Sequence, residues 1–429
     1  MSQRLQAVRG MNDLLPDTLR HWHWVERELR ALTKLYGYEE IRLPLLEQTE
    51  LFSRSIGDVT DVVEKEMYTF LDRNGDSLTL RPEGTAGCVR AGIEHGLFHN
   101  QTQKLWYLGP MFRHERPQKG RYRQFYHFGL EAFGYDSPEV DAEMILFAAR
   151  LWQRLGLTSS VQLQLNSLAT PLIRQQYKTR LIAYLKQYEK ELDEENRRRL
   201  LTNPLRVLDS KQEGLASIIE GAPILFDELD ESCRNHFQRV CECLDKAGVP
   251  YVLNPFLVRG LDYYTKTVFE WVTCDLGAQG TVCAGGRFDG LVEQLGGQST
   301  PAVGFAIGLE RLMILLETHG LTEKKKRGPD IYIITVDEKT LLSGFLWAER
   351  LRTEFPALRV ELHTEGGSLK SQFKRAHKKE ARFAMILGEE EWKNQQVSFK
   401  WLQEEKPQQL WSEKVFLEML PTLIESNEE

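Results

Sequence analysis

Residues 104–134 read Lys104-Leu-Trp-Tyr-Leu-Gly-Pro-Met-Phe-Arg-His-Glu-Arg-Pro-Gln-Lys-Gly-Arg-Tyr-Arg-Gln-Phe-Tyr-His-Phe-Gly-Leu-Glu-Ala-Phe-Gly134. Two apolar and aromatic runs, 104–113 and 123–134, flank a polar loop punctuated by Pro117 and Gly120, which predicts a long β-hairpin. Alternation puts Arg123, Phe125, His127, Gly129 and Glu131 on one face of the return strand, and Gln124, Tyr126, Phe128, Leu130 and Ala132 on the other. The second face is mostly apolar and predicts core. The first is polar, and its central glycine marks a place where something flat comes close to the backbone. Five of the fourteen side chains in 112–125 are Arg or Lys and one is acidic, although the chain carries a formal net charge of -7. A local basic site of this kind suits a polyanion, because the guanidinium fork donates paired, charge-assisted hydrogen bonds to phosphate. On this stretch alone, a surface hairpin with its charges in water fits equally well.

The chain has 429 residues, 41% hydrophobic and 27% charged, the profile of a globular protein of two or three domains. No run approaches 18 apolar residues, which excludes a membrane-spanning helix, and the first ten residues lack the apolar stretch of a secretory signal. The six cysteines, at 88, 233, 241, 243, 274 and 283, make no Cys-x-x-Cys and predict reduced thiols of a cytoplasmic protein. His95 and His99 fall at i, i+4 on an expected helix, but no third ligand accompanies them.

Leu19, Trp22, Val25, Leu29, Leu32 and Leu35 predict an amphipathic helix over 17–36, ended by Gly37. The following Tyr-Gly-Tyr-Glu-Glu-Ile-Arg-Leu-Pro-Leu-Leu-Glu predicts a strand, which Pro44 confines to an edge or a bulge. Residues 174–245 are rich in Leu, Glu, Lys and Arg and predict helices. Residues 250–317 return to strands and end in a helix, and 322–329 form a charged linker. Beyond it, strands at 330–336, 358–362 and 382–388 alternate with helices at 340–355 and 368–381, a parallel α/β pattern. The divisions expected are 1–170 and 250–320 for two parts of one core, 171–249 for an insertion, 321–329 for the linker and 330–429 for a terminal domain.

Four further clusters carry polar chemistry. Thr79-Leu-Arg-Pro-Glu-Gly-Thr85 places Glu83 and Thr85 on a turn, where a carboxylate can hold an amino group. In Leu257-Val-Arg-Gly-Leu-Asp-Tyr-Tyr264, Tyr263 and Tyr264 point to opposite faces if the segment is extended. Gly280-Thr-Val-Cys-Ala-Gly-Gly-Arg-Phe-Asp-Gly290 is glycine-rich, for which a tight turn is the plain account. Pro301 through Leu316 reads as a strand to Gly308 and then a helix with Arg311 in its first turn, an arrangement that favours an anion. No Walker-type or dinucleotide-binding glycine motif is present.

Together these segments resemble the histidine–tRNA ligases, of the class II aminoacyl-tRNA synthetases. The strand with Pro44 is similar to the first class motif, Phe112 through Glu131 to the second, and Gly304 through Arg311 to the third. Leu257–Tyr264 and Ala284–Gly290 resemble two segments particular to the histidine enzymes. The resemblance implies an α/β protein with an α+β catalytic core: an antiparallel sheet flanked by helices, a helical insertion and a C-terminal α/β anticodon-binding domain. It implies that ATP activates L-histidine as an adenylate and that the histidyl group passes to the 3′ end of tRNA(His). Arg259 and Arg113 are the implied catalytic cations, with Arg113, Arg121 and Arg311 on ATP. Glu83, Thr85, His127, Glu131, Tyr263 and Tyr264 are the implied histidine site. Arg116 and Gln118 are the implied contacts to the tRNA acceptor end. Mg²⁺ accompanies the nucleotide phosphates with no side chain assigned to it, and a cytoplasmic homodimer is implied. His127 stands where these enzymes usually have Gln, and Phe288 where they have Tyr. The alternative is a non-catalytic, synthetase-like regulatory subunit of histidine biosynthesis. Such paralogues lose catalytic motifs and the terminal domain, whereas Arg259, Tyr263, Tyr264 and Arg311 are all present here.

Overall fold

The computed structural model describes residues 4–57, 60, 62–210, 212, 214–277, 280–322 and 328–425. The chain divides into two units, Met1–Thr322 and Glu323–Glu429. The linker expected at 321–329 lies largely outside the described residues.

In the first unit the strands are β1 (Glu39–Glu40), β2 (Leu46–Gln48), β3 (Tyr68–Leu71), β4 (Ser77–Leu80), β5 (Gln103–Phe112), β6 (Gln124–Phe133), β7 (Gln162–Ser167), β8 (Tyr251–Leu253), β9 (Thr265–Val272), β10 (Thr281–Arg287) and β11 (Ala302–Gly308). Eight of them form one sheet in the order β1-β5-β6-β11-β10-β9-β7-β8. The six central strands are antiparallel, and only the edge strands β1 and β8 pair in parallel. The helices are α1 (Pro16–Leu35), α2 (Thr49–Ile56), α3 (Thr85–Glu94), α4 (Pro138–Arg154), α5 (Pro171–Leu185), α6 (Glu194–Thr202), α7 (Ala216–Glu220), α8 (Glu231–Ala247), α9 (Leu291–Gln294) and α10 (Leu309–Thr318).

The hairpin expected at 104–134 is β5 and β6, in register from Gln103 opposite Phe133 to Phe112 opposite Gln124. Its faces divide as the alternation requires. Phe128, Leu130 and Ala132 join Leu29 of α1, Phe147 and Leu151 of α4 and Phe305 of β11 in one apolar cluster. Phe237, Val240 and Leu244 of α8 belong to that cluster too, so the last helix of the 171–249 segment packs on the main sheet. The remaining helices of that segment bury Tyr177, Leu181 and Leu200 in a second cluster, which reaches Tyr263, Tyr264 and Phe288.

Two local expectations are corrected. The predicted Pro44 strand is broken: Glu39–Glu40 pairs with the large sheet, Leu46–Gln48 pairs with β4 in a separate three-stranded sheet, and Pro44 lies between them. Pro44 offers no ladder donor, so the chain changes sheets there. The helix before His95 stops at Glu94, so His95 and His99 share no helical face. Among the described residues, no group of three His, Cys, Asp or Glu is placed to hold a metal ion.

In the second unit, β12 (Ile331–Thr335), β13 (Val360–Leu362) and β14 (Phe383–Leu387) are parallel, connected by α11 (Leu341–Glu354) and α12 (Leu369–Lys378). The parallel pattern closes at β14, as the sequence suggested, but two further strands follow. The sheet continues antiparallel through β15 (Gln396–Trp401) and β16 (Gln409–Ser412), giving the order β13-β12-β14-β15-β16. Phe399 of β15 stacks with Trp411, Trp401 packs edge-on to both, and the three complete the core, which accounts for the added strands. No described helix is long and apolar enough to cross a membrane.

Candidate active site

The pocket-facing side of β6 opens on a cavity of about 290 Å³. Glu83, Thr85, Arg113, Arg121, His127, Glu131, Arg259, Tyr263, Tyr264 and Arg311 all line it, drawn from segments spread over more than half of the chain. Arg116 and Gln118 do not. They lie on the hairpin loop, where the Gln118 N–H donates to the Arg121 carbonyl at 3.0 Å and the Arg121 N–H donates back at 2.9 Å.

One group of residues surrounds Glu131. Thr85 Oγ1 donates to Glu131 Oε1 at 2.7 Å and Tyr107 OH donates to the same atom at 3.1 Å, while Oε2 is buried without a partner. Burial pushes the Glu131 carboxyl up to about 8, with the nearby Glu83 charge adding to the effect against the two hydrogen bonds. Glu83 caps α3: its oxygens accept the N–H groups of Thr85 at 2.6 Å and Ala86 at 3.0 Å. A carboxylate has lone pairs to spare beyond these two bonds, so it can still accept from a cationic ligand. Tyr263 and Tyr264 do not point to opposite faces. The segment before β9 turns instead of extending, and the two rings sit 4.7 Å apart on the same cavity. Phe288 packs edge-on to Tyr263 at 5.7 Å and closes that wall.

The second group is cationic. Arg113 follows β5, donates from Nε to the Pro82 carbonyl at 2.9 Å and lies over the Phe125 ring at 5.4 Å. Arg259 pairs with Glu270 of β9 and lies over Tyr264 at 5.7 Å, and its Nε–H is buried with no partner. Burial alone would depress Arg259, but the Glu270 charge and the two tyrosines outweigh it and raise it. Arg311, at the start of α10, donates to Gly120 O at 3.2 Å and to Thr281 O at 2.8 Å, which ties the hairpin loop down over β10. Burial, then the charges of Arg121 and Arg113, lower Arg311 to about 10. Arg121 is paired with the buried Glu115.

The cavity lining thus holds four guanidiniums and four carboxyls. Burial raises Glu131 to about 8 and Glu310 to about 7, so at neutral pH these two are largely or half protonated and the balance is positive. Burial, with Arg113, Arg311 and Arg81, lowers His127 to about 3, so the imidazole is neutral whenever the protein is folded near neutral pH.

Sequence reasoning missed Tyr107, Glu115, Glu270 and Glu310. Glu310 receives the Tyr126 N–H on both oxygens, at 2.9 and 3.0 Å. Gly129 does seat a flat group, as its place in the strand suggested: the ring of Tyr107. The register that brings the two together was the missing signal. Arg287, in the glycine-rich cluster, faces away from the cavity. It is fully buried and donates from Nε to Asp141 at 2.9 Å and to the carbonyls of Tyr135 and Ser137, fastening β10 to the start of α4.

An antiparallel floor, a basic hairpin loop tied across it and an arginine at the following strand–helix junction together define the catalytic domain of a class II aminoacyl-tRNA synthetase. Comparison with known proteins narrows the class. The family model described as histidyl-tRNA synthetase matches residues 10–312, and that described as an anticodon binding domain matches 330–426. A histidine–tRNA ligase of Hydrogenovibrio crunogenus is 55% identical over 419 residues, covering 97% of this chain and 98% of that protein. The apo histidyl-tRNA synthetase of S. aureus superposes with a TM-score of 0.80 at 33% identity, over 97% of this chain and 99% of that one. The chain belongs to the histidyl-tRNA synthetase family. A Bacillus halodurans structure titled as an ATP phosphoribosyltransferase regulatory subunit/histidyl-tRNA synthetase has the same fold at 21% identity, with a TM-score of 0.65 over 90% of this chain and 99% of that one. The fold by itself therefore does not separate a synthetase from a regulatory relative.

Proposed function

We propose that this protein activates L-histidine with ATP and transfers the histidyl group to the 3′ end of tRNA(His). The observation that carries the proposal is the meeting, in one cavity, of an orphaned buried carboxyl oxygen on Glu131 with three guanidiniums, Arg113, Arg259 and Arg311. Glu131 and Tyr264 bind the two nitrogens of the substrate imidazole. Glu83 and Thr85 accept from its α-ammonium, Tyr263 walls the site, and neutral His127 offers one donor and one acceptor beside the carboxylate. Selection follows from desolvation, since a side chain that leaves these buried polar atoms unpaired pays for every one of them.

The substrate carboxylate attacks the α-phosphorus. A carboxylate O–P bond forms, the bond to the β-phosphate oxygen breaks, and pyrophosphate leaves. Arg113 and Arg259 stabilise the charge that gathers on the α-phosphate oxygens, while Arg311 and Arg121 hold the outer phosphates. ATP enters with Mg²⁺ on its phosphates as part of the substrate. The tRNA terminal hydroxyl then attacks the carbonyl carbon of the adenylate and expels AMP. Arg116 and Gln118, outside the cavity on the loop, contact the tRNA acceptor end, and the terminal domain binds the anticodon. A cytoplasmic homodimer fits this reading. The six cysteines are free, and Leu45, Leu46, Phe70 and Leu71 are exposed on and beside the three-stranded sheet next to β1.

Histidine-dependent exchange of labelled pyrophosphate into ATP is the test. Exchange with histidine alone is expected. Exchange with a different amino acid overturns the substrate, and none with any amino acid leaves the regulatory reading.

A further inference from the structure

Tyr107 stands on β5 directly across from Gly129 of β6. It is 2% exposed, and its ring lines the cavity. A Cβ on Gly129 would lie 2.2 Å from Tyr107 Cζ, and one on Gly84 would lie 2.2 Å from Cε2. The ring therefore fills a slot that two glycines open and that any larger residue would close. Such a slot leaves the hydroxyl one direction to point, and it donates to Glu131 Oε1 at 3.1 Å beside the Thr85 donation at 2.7 Å. Gly304 completes the seat from the other side, since a Cβ there would fall 1.7 Å from Glu131 Oε2. One oxygen is doubly held and the other is buried and bare. Burial pushes the Tyr107 phenol well above its usual range, so it remains a donor throughout the working pH of the protein.

We infer that Tyr107 is a positioning residue for amino-acid selection: its hydroxyl, together with Thr85, fixes one oxygen of Glu131 so that the other faces the substrate imidazole. The inference rests on the reading of Glu131 as the imidazole partner. Its physical content is preorganisation. A carboxyl free to rotate must be ordered by the ligand at the ligand's expense, whereas one already tied at Oε1 presents Oε2 at no further entropic cost. The Tyr107 bond also opposes the burial that raises the Glu131 carboxyl, so the hydroxyl sets the pH at which that group gives up its proton.

Tyr107→Phe keeps the ring in its slot and removes one oxygen. The expected result is a KM for histidine raised about tenfold, with kcat within about threefold of the parent and KM for ATP unchanged. In the same variant the inflection near pH 8 in kcat/KM for histidine should move to higher pH, a change that loss of packing alone would not produce. Replacing Tyr107 by 3-fluorotyrosine, a more acidic donor of nearly the same shape, should move the inflection the other way, and it decides the matter if Tyr107→Phe loses its cooperative melt. Parental KM and parental inflection in both substitutions overturn the inference and leave the reading of Glu131 standing. If Glu131→Gln itself leaves the KM for histidine unchanged, that reading falls and the role of Tyr107 with it.

Discussion

Arg259→Gln is the substitution that tests the chemistry most directly. The parent side chain presents a buried, unpartnered Nε–H and a charge balanced by Glu270, whose second oxygen accepts from Thr281 Oγ1 at 3.0 Å. A unit positive charge about 4 Å from a developing phosphate charge contributes about 4 kcal/mol at an effective dielectric of about 20. Glutamine keeps a donor but removes that charge. It also uncovers Glu270, which would then repel the phosphates it now faces through the arginine. The expected loss is about a thousandfold in the rate of histidine-dependent pyrophosphate exchange, comparable with removal of a main transition-state donor. Histidine affinity should hold within about threefold, because Arg259 acts on charge that appears only during phosphoryl transfer. The assay is steady-state exchange, paired with calorimetric titration of histidine alone. Adding Glu270→Gln to the variant should recover part of the rate, since the uncovered charge is then gone. An exchange rate for Arg259→Gln within about tenfold of the parent would refute the assignment.

Two further outcomes follow from the buried charges. Asp141 is fully buried between Arg287 and His236, whose Nε2 lies 2.6 Å from Oδ2. Burial opposes its charge, but these two partners outweigh it and hold the carboxyl below its usual value. Asp141→Ala removes the closest carboxylate partner of the buried Arg287 and leaves it Asp289 at 3.1 Å and Asp136 at 3.9 Å, so urea denaturation should show a loss of about 3 kcal/mol, the low end for a broken buried pair, detached from any specific effect on histidine binding. His127 is held neutral to about 3, far below an ordinary imidazole. Below the usual imidazole range the unfolded chain therefore takes up a proton that the folded chain refuses, and this group's contribution to stability is lost as the pH falls. His127→Gln should accordingly show a smaller drop in Tm between about pH 7.5 and about pH 4.5 than the parent, read by differential scanning fluorimetry. An equal drop in the two proteins would mean that His127 is not buried neutral.

The hairpin was legible without coordinates because its alternation, its loop breakers and its reversed local charge all act at short range. His127 and Glu131 could be put on the correct face from period two alone, and Arg311 at a strand–helix junction from the Gly308 break. The misreadings share one cause. Tyr263 and Tyr264 converge because Leu257–Tyr264 turns, which no periodicity in eight residues reveals. Tyr107 goes unnamed as the flat group over Gly129 until the register of β5 brings the two together. β15 and β16 escape a pattern search that sees only alternating strands and helices.

Sequence alone determined the hairpin, the order of most helices and strands around it, the polar face of the second strand of the hairpin and the residue types available for phosphate and imidazole, because those depend on neighbours a few positions apart. Tertiary structure decided which of those residues share a cavity, which carboxyls burial leaves protonated, and that one oxygen of Glu131 stands bare while the other is tied. Each of these depends on packing between segments far apart in the chain, where desolvation and register, not local propensity, set the energy.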